Sequence, residues 1–122
     1  MSNAVSKSAK INDKISKLRH SARRRDIGWN ITEYKLREKI MQGATCSLSG
    51  WTLSEETGYK NTWSLDRIDS SKDYTNDNVQ IVASSVNIAK HELSQEEFIE
   101  MCKDVVKTAG YVITKNEPVQ QV

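Results

Sequence analysis

Apolar residues recur along this chain at two different periods, and the switch between them lays out its organisation. Ile11, Ile15, Leu18 and Ala22 fall at i, i+4, i+7 and i+11, one face of a helix over 11–25 with Gly28 as a stop. Asn30 and Glu33 have capping-box spacing, so a second helix starts at Asn30 or Thr32 and runs through Tyr34, Leu36 and Ile40 toward Gly43. The period then shortens. Residues 45–54 are β-prone and broken at Gly50, which predicts a small hairpin or strand-turn. Residues 62–69 alternate in the manner of a half-buried strand, and 78–83 form a second strand after a loop of turn-favouring residues. No breaker separates that strand from 84–91, which reads as a short helix. Ser94 and Glu97 cap a last helix, a structural one, whose stripe of Phe98, Ile99, Cys102, Val105 and Val106 ends at Gly110. A short strand over 111–114 and a fraying tail over 116–122 complete the pattern.

A chain of 122 residues, 37% hydrophobic and 28% charged, fits one soluble domain with a modest core. No apolar stretch approaches the roughly 18 to 20 residues of a bilayer span, which excludes a membrane partner and leads us to expect a cytoplasmic protein. Cys46 and Cys102 lie too far apart for a zinc knuckle or a dense disulfide framework, so both are expected as reduced, buried thiols; a bridge or a shared zinc is the minor alternative.

Charge sharpens the division. Residues 1–25 carry Lys7, Lys10, Lys14, Lys17, Arg19, Arg23, Arg24 and Arg25 against Asp13 alone, a net of +7. The rest of the chain is acidic, since the total is only +2. Three segments follow: a basic N-terminal arm or helix over 1–27, a domain over 28–110 and a tail over 111–122. A concentrated basic segment suits a phosphate backbone, because each neutralised phosphate releases counterions, although a solvated tail has the same composition. Lys14, Lys17, Arg19, Arg23, Arg24 and Arg25 are the candidate DNA contacts.

The strand, loop, strand, helix order over 63–91 carries candidate chemistry. It sets Asp66 on the first strand, Asn78 at the start of the second and Asn87 on the helix. Oxygens aimed from a strand and from the helix packed across it suit a hard cation such as Mg²⁺, which keeps waters and needs few protein ligands. His91, four residues after Asn87, shares its face if the helix continues that far and is a possible third ligand. Lys90, on a neighbouring part of the surface, is placed to hold a phosphate.

Cys46 to Gly50, Ser64 to Asp69, Lys72 to Thr75, Asp77 to Gln80 and Asn87 to Lys90, followed by the Phe98-Ile99 helix, resemble HNH endonucleases, especially small ones of phages and prophages. The resemblance covers roughly residues 32–108. It implies an α+β fold with a ββα-metal (HNH) hairpin core and flanking helices, to which the charge and periodicity of the first segment add a basic N-terminal helix. It also implies DNA nicking or cutting with one Mg²⁺ or Mn²⁺ in a bacterial, possibly phage-encoded, setting. By the same resemblance Asp66 and Asn87 are metal ligands, His91 a further one, and Asn78 the residue that orients the loop and the catalytic group. Zinc-bearing relatives carry two Cys pairs that this chain lacks, so no structural zinc is expected.

Two positions depart from the pattern. Asp73 stands where Gly commonly precedes the Tyr, so the loop is expected to bend differently. Arg67 stands where most members place the histidine that activates water, and a guanidinium stays protonated. Three readings stay open: Arg67 stabilises the phosphate transition state, His91 is the base, or the centre is degenerate and the protein only binds DNA.

Overall fold

The computed structural model describes residues 6–115, a mixed α+β protein with four helices and two small sheets among those residues. Helix α1 (Lys7–Arg24) begins where the Ser6 hydroxyl accepts the Ala9 N–H at 3.1 Å. Its apolar stripe buries Ile11, Ile15 and Ala22 in the main core. The helix stops before Gly28. Asp26 takes a left-handed conformation (φ 57°), and Ile27 N–H returns to Ala22 O at 2.8 Å.

Gly28 has a different task. Its N–H donates to the Asp73 carboxylate at 2.9 Å, and a Cβ there would stand 2.6 Å from Asp73 Oδ2. The departure at Asp73 therefore ties the 69–73 loop to the chain after α1. That tie aligns β1 (Trp29–Asn30) with β3 (Tyr74–Thr75) as a short parallel pair.

Helix α2 (Glu33–Met41) follows Thr32 and buries Leu36 and Ile40. The capping box expected of Asn30 and Glu33 does not form, because Glu33 has stronger partners. Its carboxylate takes Arg19 at 2.6 and 2.8 Å and Trp29 Nε1 at 2.9 Å. The Thr32 N–H is met instead by Asn76 Oδ1 at 2.9 Å. Residues 45–52 make the expected tight reversal, with one bridge between Thr45 and Thr52 and Gly50 at φ 76°.

Strands β2 (Trp63–Arg67) and β4 (Val79–Ala83) pair antiparallel, with Asp66 opposite Gln80. Trp63 and Leu65 pack into the core with α1 and α2, while the alternate residues Ser64 and Asp66 face α3 (Ser84–Lys90). The outer carbonyls of β2 are met by side chains. Lys14 Nζ donates to Trp63 O, Asn87 Nδ2 to Leu65 O at 3.5 Å and Lys90 Nζ to Arg67 O at 3.2 Å.

Helix α4 (Gln95–Thr108) has the full capping box at Ser94 and Glu97, as its sequence predicts. Its stripe departs from expectation: Phe98 is buried, whereas Ile99, Cys102, Val105 and Val106 are exposed. Its first turn supplies the buried Phe98 and also Gln95, whose side chain accepts from Gln80. Cys102 is thus not a core thiol, while Cys46 is, and both are free. Residues 111–115 form no strand, and 116–122 lie outside the described residues. No helix among the described residues is long and apolar enough to cross a membrane.

Candidate functional site

A cleft of about 720 Å³ opens between the C-terminal half of α1 and α3, with β2 as its floor. Arg25, Asp66, Arg67, Tyr74, Asn87 and His91 line it. The strand–strand–helix unit therefore brings Asp66 and Asn87 to one concavity.

Asp66 is 4% exposed and Lys90 is 0% exposed. The Lys90 ammonium lies 3.3 Å from Asp66 Oδ1 and 3.2 Å from Oδ2, so the carboxylate charge is compensated inside the protein. Gln80 Nε2, facing Asp66 across the strand pair, donates to Oδ2 at 2.9 Å and to Gln95 Oε1 at 2.8 Å. The expectation that Lys90 lies on the surface and holds a phosphate is corrected. Three residues after Asn87, Lys90 shares the helix face that packs on β2, and its stem carries the ammonium inward.

Asn87 spends its amide N–H groups on β2, donating to Ser64 Oγ at 2.8 Å, and its carbonyl oxygen is the atom left for a ligand. Helix α3 ends at Lys90. His91 follows in a left-handed conformation (φ 46°), with its N–H on Asn87 O at 3.1 Å. It reaches the cleft from this exposed turn rather than from the helical face that the four-residue spacing suggested.

Asn78 is not among the residues lining the cleft. Its Oδ1 accepts from Asp69 N at 2.9 Å, and its Nδ2 donates to Asp69 O at 3.0 Å and Asp73 O at 2.9 Å. It is a positioning residue that holds the 69–73 loop. Arg67 leaves β2 beside that loop, donating to Lys72 O at 2.9 Å with its guanidinium 5.3 Å from the Tyr74 ring centre.

The basic helix divides into spent and available cations. Lys14 turns inward over the Trp63 ring at 4.4 Å, and burial lowers its pKa from 10.5 to about 8; it is corrected as a DNA contact. Arg19 is partly exposed, and both oxygens of Glu33 already pair with it. Lys17 pairs with Asp13 at 2.9 Å on the surface, a contact worth little in water. Arg23 and Arg24 are exposed with no side-chain partner among the described residues, and Arg25 lies at the cleft.

The donor set can be tested against a divalent cation. No group of three or more His, Cys, Asp and Glu side chains assembles among the described residues, which excludes there a cage built from those groups alone. Asp66, Asn87 and His91 line one cleft and are of the donor types that a hydrated divalent cation accepts, although Lys90 and Gln80 already engage the Asp66 oxygens. Sequence reasoning missed Ser64, Gln80 and Tyr74. The first two share a strand face with Asp66, a signal the alternation contained; Tyr74 is placed by the β1–β3 pairing, which no local pattern announced. Compared with protein-family models, curated proteins and solved structures, the chain matches none.

Proposed function

We propose that this chain is a metal-dependent endonuclease that hydrolyses DNA phosphodiester bonds from a ββα-metal core formed by β2, β4 and α3. The observation that supports this reading is the cleft itself. It joins the Asp66 carboxylate and the Asn87 carbonyl with Arg25 and Arg67, neither of which has an ion-pair partner among the described residues.

Asp66 and Asn87 would hold a Mg²⁺ or Mn²⁺ ion, with His91 beside them. Such an ion, when bound, supplies positive charge to the phosphate and acidifies a water. Arg67 supplies charge to the same phosphate and cannot remove a proton. His91 and its neighbour Glu92 line the cleft and are its proton acceptors, since Lys90 already compensates Asp66. Lys90 sets the carboxylate's position rather than touching DNA.

Nicking of supercoiled plasmid with Mg²⁺ or Mn²⁺ tests the reading. Turnover is expected, and Asn87→Leu, or Asp66→Asn combined with Lys90→Met so that no buried charge is stranded, should abolish it while DNA is still bound. The compensation of Asp66 by Lys90 favours a second reading, a DNA-binding module on a retired nuclease scaffold. Plasmid bound but never nicked with either ion would decide for that module.

A further inference from the structure

We propose, resting on that reading for the identity of the ligand, that Arg25, Tyr74 and Arg67 form one clamp in which both guanidiniums close on a single backbone phosphate. Tyr74 is the pillar of the clamp. It is 6% exposed, with the Trp29 ring at 5.2 Å and its own N–H on Gly28 O at 2.9 Å. From one side its hydroxyl takes Arg25 Nη2 at 3.1 Å, and across its ring face lies the Arg67 guanidinium.

Two like charges drawn to one side chain repel each other unless an anion joins them. Arg19, on the helix that Arg25 caps, has such an anion in Glu33, whereas Arg25 and Arg67 have no carboxylate within ion-pair distance among the described residues. Asp69 feels the charge of Arg67 but pairs with Lys72 at 3.9 Å. The remaining contacts of the two arginines are weak or neutral. Arg25 Nε reaches Ser21 O at 3.4 Å and Arg67 Nη1 reaches Lys72 O, so each fork keeps N–H groups for a ligand. A phosphodiester is the anion whose paired oxygens match two forks, and the clamp lies on the wall of the cleft that holds Asp66 and Asn87.

The test is anisotropy of a labelled duplex in EDTA over a range of salt, with folding of each variant checked by circular dichroism. Arg25→Gln and Arg67→Gln should each weaken binding about tenfold. The double variant should be little weaker than either, and its log–log salt slope should fall by about 0.9, the value for one phosphate. Tyr74→Phe keeps the ring and loses the hydroxyl. It should weaken the wild type several-fold and have no further effect in Arg25→Gln. Additive losses with a slope lowered by about twice that value would assign two separate phosphates and overturn the clamp, as would an inert Tyr74→Phe. Displacement of the duplex by submillimolar inorganic phosphate at constant ionic strength would assign the forks to a free anion and also overturn it. Because metal is absent, duplex binding without plasmid nicking leaves the clamp standing, and nicking with additive losses removes the clamp alone. A wild type that binds no duplex in EDTA overturns the clamp, while the plasmid assay with metal decides separately on the nuclease.

Discussion

Lys90 and Asp66 hold each other inside the protein, so removing one partner strands the other. Lys90→Met is expected to destabilise the chain by about 3–5 kcal/mol in urea unfolding, because the Asp66 carboxylate is left buried and uncompensated. Adding Asp66→Asn should restore most of the loss; equal instability of the single and double variants would show that the ion pair is not the cause. Lys14 sets a pH dependence of opposite origin. Burial lowers its pKa from 10.5 to about 8, so between those values the unfolded chain binds the proton more readily and stability rises with pH. Across that window the wild type should gain stability relative to Lys14→Met, as read from urea midpoints. Lys14 was misplaced by sequence reasoning because a charge count records how many cations a segment holds, not which of them the helix face turns inward, and Lys90 because it was set on the surface beside His91. The Asn87 to Lys90 spacing contained the correction, since positions three apart share a face.

At the scale of elements, β2 and β4 were legible because their alternation separates a core face from the face toward α3, whereas β1 and β3 were not. The closing helix was legible from its capping box. Its burial was not, since an amphipathic stripe announces that a helix has an apolar side without naming what covers it. The 69–73 loop was legible only through Asn78. Its second anchor depends on Gly28 and Asp73, 45 residues apart, a contact that exists only once α1 has set the exit of the chain. Gly28→Ala should therefore cost about 1–3 kcal/mol in thermal or urea unfolding, since its Cβ would displace the Asp73 carboxylate from the Gly28 N–H. Gly28→Ala combined with Asp73→Gly should be no less stable than Asp73→Gly alone. A full additional loss would place the strain elsewhere.

At the scale of the whole molecule, α1 is at once a wall of the core and the carrier of the basic charge. Deleting residues 1–25 would remove Ile11, Ile15 and Ala22 with the arginines, so loss of DNA affinity after deletion would report unfolding. Arg23→Gln with Arg24→Gln changes charge alone. It should leave the urea midpoint within about 0.5 kcal/mol of wild type and lower the salt slope of duplex binding by about one unit for each arginine in contact. An unchanged slope would take Arg23 and Arg24 out of the interface. The +7 asymmetry was visible in the sequence, but the division into inward, paired and available cations required the packed helix.

Lys14, Asn87 and Lys90 have a further consequence through the carbonyls of β2 that they meet. Without them, this border of β2 would stand unmet beyond the Ser54 bridge at its Trp63 end, a place where another molecule could add a strand, the first step of aggregation. Eroding Asn87 or Lys90 would thus endanger solubility as well as any chemistry, and selection against aggregation alone would retain both residues whether or not they carry a reaction.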